Sequence, residues 1–160
     1  MHVAVGGEVL LLEGQPGAYG AVLDAVELDA EQPRKELGAR FVERCNREGI
    51  PVISVDAPGH FSERTEHSGL DFGTIIDREK LFDRIETETK RSGEPPFRSI
   101  VHLGACTDTM QLDEAYLSKM NLEYSKTIWN FCVKHRIPLV YASSAATYGG
   151  GELGFDDDDS

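Results

Sequence analysis

Short apolar segments of this sequence end in residues whose side chains suit the binding of a nucleotide. A carboxylate after a strand can accept hydrogen bonds from ribose hydroxyls, and small residues let a ligand approach the backbone. Such residues are Asp56, then Leu103, Gly104 and Ala105, and finally Ser143 and Ser144. If the three segments are parallel strands of one sheet, their carboxyl ends meet at one edge, where ligands bind. The spacing therefore predicts one shared crevice.

A glycine-rich turn near the start of the chain could hold a pyrophosphate. Gly14, Gly17 and Gly20 follow the apolar run 9–12 and match the pattern G-x-x-G-x-x-G. Glycines at this spacing form a tight turn whose backbone approaches phosphates at the start of a helix. Five glycines among the first 20 residues could also produce the pattern by chance. The acidic partner is expected about 20 residues later, whereas Asp56 lies 36 residues after Gly20.

Gly38 marks a second position for this turn, because it stands 18 residues before Asp56. The distance to the acidic residue then fits, but Gln32 and Lys35 occupy the positions of the two earlier glycines. Two alternatives stay open from the residues alone. Either the early glycines form the turn and an insertion follows them, or residues 1–33 are foreign to the fold.

Helical and strand-like patterns alternate from residue 34 onward. Apolar residues recur at helical spacing in three stretches, and three shorter stretches are apolar throughout. In chain order these are helix 34–47, strand 51–56, helix 77–91, strand 99–103, helix 111–135 and strand 139–143. Gly49 is placed to end the first helix, and 57–70 is expected to be a loop. The alternation predicts an α/β fold, a partial Rossmann-like parallel sheet with crossover helices.

Three regions follow from this pattern: an atypical segment 1–33, a dinucleotide-binding domain 34–150 and an acidic loop 151–160. The 160 residues contain 16 Lys and Arg against 28 Asp and Glu, a net charge of -12. Such acidity argues against nucleic acid and anionic membranes as partners. No apolar run reaches the roughly 20 residues of a membrane span.

The number and spacing of the cysteines indicate the cellular compartment of the protein. Cys45, Cys106 and Cys132 are odd in number and widely spaced, which predicts reduced thiols in a cytoplasmic protein. The five histidines show no metal-ligand spacing, so no metal site is expected.

From about residue 38 to residue 150, the chain resembles the extended short-chain dehydrogenase/reductase superfamily and, within it, the ADP-heptose 6-epimerase family. The most specific stretch runs from Tyr141 to Gly150 and reads Tyr-Ala-Ser-Ser-Ala-Ala-Thr-Tyr-Gly-Gly. The superfamily as a whole requires only Ser-Ser-x-x-x-Tyr-Gly. Further matching positions are His102 to Cys106, Asp113, Tyr116, Asn121 and Tyr124 to Lys126.

The resemblance implies epimerisation of a nucleotide-activated sugar, with NADP as the expected cofactor and NAD as the alternative. It implies that Ser144 hydrogen-bonds the reacting sugar oxygen. The residues it assigns to the cofactor are Asp56 at the ribose, Arg64 or Arg78 at the 2′-phosphate, Asp71 and Phe72 at the adenine ring, Leu103, Gly104 and Ala105 along the cofactor, and Asn121 near the active site.

Each of these residues also has a simpler interpretation. Asp56 could be a solvated acid at a strand end, Ser144 could cap a turn, and Arg64 and Arg78 could be surface charges. Gly104 and Ala105 could serve close packing of a helix on a strand. Residues 124–126 are interpreted as helix surface, because a tyrosine and a lysine two positions apart point in different directions.

The general base of the resembled family is a tyrosine in a Tyr-x-x-x-Lys pair, whose lysine lowers the tyrosine pKa. This sequence contains no such pair, and no lysine follows Tyr148. We therefore expect an incomplete and inactive portion of an epimerase. The alternatives are another extended short-chain sugar-nucleotide epimerase or dehydratase, or a non-catalytic dinucleotide-binding remnant. An open sheet edge is expected to favour homo-oligomers.

Overall fold

The structure is a computed structural model that describes residues 9–12, 37–62, 67–104, 106 and 110–142. The strands are β1 (Val9–Leu12), β2 (Val52–Asp56), β3 (Thr74–Asp77), β4 (Ser99–His102) and β5 (Leu139–Tyr141). The α-helices are α1 (Leu37–Glu48), α2 (Gly59–Ser62), α3 (Leu81–Ser92), α4 (Glu114–Leu117) and α5 (Tyr124–His135). A 3₁₀ turn, Arg78–Lys80, precedes α3, and a π-helical stretch, Ser118–Glu123, joins α4 to α5.

The strands form one five-stranded sheet in the order β3-β2-β1-β4-β5. β2 pairs with β3 in parallel, with Asp56 opposite Asp77, and β4 pairs with β5 in parallel, with His102 opposite Tyr141. β1 lies in the centre and runs antiparallel to both of its neighbours. The α/β class and the Rossmann-like fold are thus confirmed, and the strand order is one that such folds adopt. The expectation that all strands run parallel is wrong for β1.

The sequence of β1 explains why its direction does not follow from the hydrophobic pattern. The strand reads Val-Leu-Leu-Leu, and each of the four side chains is at most 1% exposed. Such a run buries its side chains equally well in either direction. The backbone ladder can also form with a neighbour that runs either way. The pattern therefore predicts a central strand but not its direction.

Helices cover both faces of the sheet, as predicted. On one face, Leu10 of β1 belongs to the same core cluster as Phe41 of α1. On the other face, Leu11 shares a cluster with Leu81 of α3 and Ile128 of α5. Neighbouring residues of β1 thus face opposite helix layers, because side chains alternate along a strand.

The first helix confirms its sequence prediction closely. It was expected over 34–47 and spans Leu37–Glu48. Gly49 ends it with a φ of +66°, a left-handed conformation that glycine adopts without steric cost. The amide of Ile50 then donates to the carbonyl of Cys45 at 2.9 Å. Helix and stop signal are both local, so the sequence alone predicts them.

Three features differ from the sequence prediction. The pattern misses β3, a four-residue edge strand in which Ile76 alone is buried. The segment 57–70, expected to be a loop, contains α2. The helix expected over 111–135 begins only at Glu114 and includes the π-helical stretch; on α5, Ile128 and Cys132 are buried, whereas Trp129 is 53% exposed.

Apolar side chains remain exposed along β5 and α5. Val133 is 63% exposed and Tyr141 is 56% exposed. The rings of Trp129 and Tyr141 meet edge to face with centroids 6.3 Å apart. Contiguous apolar surface of this kind favours association, so homo-oligomerisation stays a prediction.

Candidate functional site

The candidate site lies at the edge of the sheet where four strands end. Because β1 is antiparallel to both β2 and β4, these two strands point the same way, and their parallel partners β3 and β5 do too. Asp56, Asp77, His102 and Tyr141 therefore share one edge. The sequence prediction that Asp56 and the end of β4 meet at one edge is confirmed.

The direction of β1 separates this edge from the glycine-rich turn predicted to follow that strand. Val9, at the start of β1, pairs with Val55 and His102, whereas Leu12 pairs with Val52 and Ser99. The chain thus leaves β1 at the edge opposite Asp56. A strand–turn–helix phosphate site requires β1 to run the other way. Gly14, Gly17 and Gly20 lie outside the described residues.

Asp56 is buried, and both of its carboxylate oxygens have polar partners. Its side chain is 6% exposed, and its Oδ2 lies 2.9 Å from Nδ1 of His60. Its Oδ1 accepts a hydrogen bond from the amide of Ala57 at 2.7 Å and lies 3.5 Å from Nη1 of Arg78. The interpretation of Asp56 as a solvated acid is therefore wrong, since both carboxylate oxygens have partners.

Arg78 is the expected cation that the structure places beside Asp56. It follows β3 directly, and its side chain is only 18% exposed, so it is not a plain surface charge. His60 also contacts the carboxylate, although no sequence argument singled it out. The available signal was its position four residues after Asp56, within the 57–70 segment that read as a loop. Arg64 lies outside the described residues.

Tyr124 links Arg78 to α5. Its hydroxyl donates to the backbone carbonyl of Arg78 at 3.4 Å, and its ring packs against Phe82 with centroids 5.0 Å apart. Burial raises the pKa of Tyr124 above its usual value, so the hydroxyl keeps its proton and can donate. The interpretation of this residue as helix surface is wrong. It does hold for Lys126, whose side chain is 57% exposed.

His102 closes β4 with a buried imidazole. Its Nε2 lies 2.9 Å from Oγ of Ser125, so Ser125 also faces inward. Burial lowers the pKa of His102, because the charged ring loses hydration. Its Nδ1 is buried and has no hydrogen-bond partner within the described part of the chain. The ring is therefore held neutral at this edge.

Asn121 holds the backbone that follows β4. Its Oδ1 accepts from the amide of Cys106 at 2.7 Å, and its Nδ2 donates to the carbonyl of Cys106 at 3.1 Å. Leu103 and Gly104, which precede the hydrogen-bonded Cys106, are half-buried. Ala105 lies outside the described residues. Asn121 stands in the π-helical stretch, a conformation frequent at functional sites. Its contacts fix the backbone of Cys106 against the π-helical stretch.

Asp71 and Phe72 lie at the opposite edge, since they precede β3. Asp71 accepts from the amide of Gly73 at 2.9 Å and exchanges backbone hydrogen bonds with the side chain of Asn46. Phe72 is 7% exposed and packs 5.1 Å from the ring of Phe61. The structure does not bring these two residues to Asp56, so their placement lends no support to a role at the adenine ring. Ser144 lies outside the described residues.

The described residues hold no group of three His, Cys, Asp or Glu side chains that could bind a metal ion. Within the same residues, no helix has the length and hydropathy needed to cross a bilayer.

The strand order and the charged groups around Asp56 define a Rossmann-like α/β protein with a charged cluster at the carboxyl edge of its sheet. Residues 37–160 match the NAD dependent epimerase/dehydratase family, and the chain belongs to that family. It is similar to the ADP-L-glycero-D-manno-heptose-6-epimerase of Brachyspira hyodysenteriae, with 36% identity over 77% of this chain and 38% of that protein. The enzyme of the same name from Fusobacterium nucleatum is 34% identical over 76% of this chain and 36% of its own length.

A third relative, the ADP-L-glycero-D-manno-heptose-6-epimerase of Alkalilimnicola ehrlichii, is 33% identical over 73% of this chain and 36% of its own length. The chain thus spans little more than a third of the length of these curated relatives. Membership of the family implies a nicotinamide dinucleotide as cofactor.

Proposed function

We propose that this chain forms the cofactor-binding part of an NADP-dependent nucleotide-sugar epimerase whose parent reaction is 6-epimerisation of an ADP-activated heptose. The observation that carries this proposal is the ion pair of the buried Asp56 with the half-buried Arg78 at the carboxyl edge of the sheet. An acid at this position suits a ribose, and a cation beside it suits a 2′-phosphate. The similarity to three heptose epimerases supports the substrate class.

The described residues fit the adenosine end of such a cofactor. Asp56 would lie at the ribose and Arg78 at its 2′-phosphate, and Leu103 with Gly104 would border the cofactor without a bulky polar side chain. Asn121 would keep their loop in place through its two bonds to Cys106. When bound, the nicotinamide supplies the acceptor and donor of hydride at the sugar carbon. Ser144 would hold the sugar oxygen, as the resemblance implies.

A second candidate function is a non-catalytic dinucleotide-binding remnant, which the direction of β1 favours. Because the chain leaves β1 at the edge opposite Asp56, that strand does not lead a phosphate turn to the ribose site. A site with the ribose contacts but without this turn would bind dinucleotides weakly. We therefore expect binding that depends more on the 2′-phosphate than on the pyrophosphate.

The exchange Arg78→Gln is expected to weaken NADP binding about tenfold, the equivalent of about 1.4 kcal/mol lost with one charge-assisted contact. Affinity for NAD should change much less, because NAD lacks the 2′-phosphate. Isothermal titration calorimetry with both cofactors measures this. Arg84→Gln is the matched control, since Arg84 pairs with Glu88 on the exposed side of α3. Equal losses for NADP and NAD, or no loss in the Arg78 variant, would contradict the assignment of Arg78.

The 160-residue polypeptide is expected to show no epimerase turnover. A base must remove the hydroxyl proton as hydride leaves, and the sequence contains no Tyr-x-x-x-Lys pair. The assay follows conversion of the ADP-activated heptose in the presence of NADP, with the Brachyspira hyodysenteriae relative as the positive control. Product above the enzyme-free rate would show that another group in this chain serves as the base.

A further inference from the structure

We propose that two copies of this chain associate through the exposed side of α5 and the adjacent strand β5, with their α5 helices antiparallel about a two-fold axis. β5 lies at one edge of the sheet, and β1 and β4 separate it from β2, which carries Asp56. The surface is thus distinct from the ribose site, and the proposal goes beyond the proposed function without depending on it.

Exposed apolar side chains concentrate on this side of the molecule. Among the described residues, nine large apolar side chains are exposed, and five of them lie on α5, on β5 or in the π-helical stretch before α5. These five are Leu122, Trp129, Val133, Val140 and Tyr141. The rings of Trp129 and Tyr141 meet edge to face, so the helix and the strand contribute to one surface. A contiguous apolar patch beside the open edge of a strand is typical of a surface that binds another polypeptide.

The helical part of this surface has the spacing of a coiled-coil seam. Its members are Leu122, Lys126, Trp129 and Val133. Successive members are separated by four, three and four positions, which is the alternation of the d and a positions of a heptad repeat. The first three line one cavity beside β5, so they share a face of the helix. A seam of this kind fits the corresponding face of another helix.

The seam is complementary to itself when the second copy runs antiparallel. Leu122 and Val133 are its first and last members, so Leu122 of one copy then lies against Val133 of the other. The same alignment places Lys126 of each copy beside Trp129 of the other, where the ammonium group can lie over the indole ring. A parallel alignment would instead place the two Lys126 side chains together, and like charges disfavour it. Lysine at one a position thus selects the orientation of the pair.

A charge pair at the rim favours the same alignment. Glu123 follows Leu122 and Lys134 follows Val133. A contact between Leu122 and Val133 therefore brings Glu123 of one copy near Lys134 of the other. Both side chains are exposed, and opposite charges across an interface fix its register. The net charge of -12 makes two copies repel each other at long range, a repulsion that physiological salt of about 0.15 M screens.

The test is sedimentation equilibrium of the complete 160-residue chain at several concentrations in about 0.15 M salt. We expect a dimer whose dissociation constant rises at least about tenfold in Val133→Glu, because a carboxylate would be buried against Leu122 of the other copy. Leu112→Glu is the control, since Leu112 is 85% exposed and lies outside the proposed surface. Matching melting curves would show that both variants fold. Trp129 is the single tryptophan, so its emission should shift to shorter wavelength as the dimer forms.

A charge exchange tests the antiparallel arrangement. Glu123→Lys and Lys134→Glu should each weaken the dimer about threefold, and the double variant should recover most of the loss, because the pair is restored with its charges reversed. Failure of the double variant to recover would overturn the antiparallel alignment.

Two further results would overturn the inference as a whole. A chain that stays monomeric at every concentration has no such interface. If Trp129 of that monomer emits as a buried indole, another segment of the same chain covers the surface. A dimer or larger assembly that Val133→Glu leaves unchanged associates through a different face.

Discussion

Replacing Gly73 with alanine is expected to lower the free energy of unfolding by about 2–5 kcal/mol. Gly73 has a φ of +61°, and an L-residue pays about 1–2 kcal/mol in this left-handed region. An added Cβ would also overlap the carbonyl oxygen of Val52 and lie 3.1 Å from its carbonyl carbon. Backbone atoms at the start of β2 cannot rotate away, so overpacking adds about 1–3 kcal/mol. Urea denaturation of both proteins measures the difference.

Gly69→Ala is the matched control for this prediction. Gly69 has a φ of +82°, yet a Cβ there would meet nothing within 4 Å. It should therefore cost only the conformational part, about 1–2 kcal/mol. Equal losses in the two variants would show that β2 and β3 do not approach each other as described. Since β3 leads directly to Arg78, the Gly73 variant should also weaken binding at the ribose site.

Replacing Leu11 with alanine is expected to lower the free energy of unfolding by about 2–5 kcal/mol, the usual range for a buried leucine. Leu11 is 0% exposed in the central strand and belongs to the cluster that includes Leu81 and Ile128. Truncating the side chain would leave a cavity between β1 and two helices. Urea denaturation of both proteins measures the difference in the free energy of unfolding.

Leu112→Ala provides the control, because Leu112 is 85% exposed and surface changes stay within about 0.5 kcal/mol. The comparison also decides an alternative that the sequence leaves open. If residues 1–33 were foreign to the fold, truncating Leu11 would cost no more than truncating Leu112. A large loss at Leu11 alone would establish that β1 completes the sheet.

Much of the fold follows from local patterns in the sequence. The four-residue recurrence of Leu37, Phe41 and Cys45 predicts α1, and Gly49 predicts its end. The strand that ends at Asp56 and the strand that ends at His102 follow from short apolar runs between turn residues. Segments of this kind depend on neighbours within a few positions, so no tertiary information is needed.

The candidate site also combines features that were expected from the sequence with features that were not. The resemblance implied Asp56 at the ribose with Arg64 or Arg78 at a 2′-phosphate, and the structure places Arg78 beside Asp56. The sequence did not single out His60, which the turn after β2 brings back to the carboxylate of Asp56. The resemblance also implied that Asp71 lies beside the adenine. Asp71 instead precedes β3, at the edge of the sheet opposite Asp56.

The sequence by itself determined the α/β class, the family and the acid at the end of β2, because each depends on periodicity or on a continuous motif. Only the tertiary structure decided that β1 runs antiparallel, that Tyr124 and Ser125 face inward, and that His60 and Arg78 share Asp56. Apart from the contact of His60 with Asp56, four residues away, these features are contacts between residues distant in sequence or directions of strand pairing. Four consecutive apolar residues satisfy burial in either direction, so hydrogen-bond partners from the rest of the sheet determine which one is adopted.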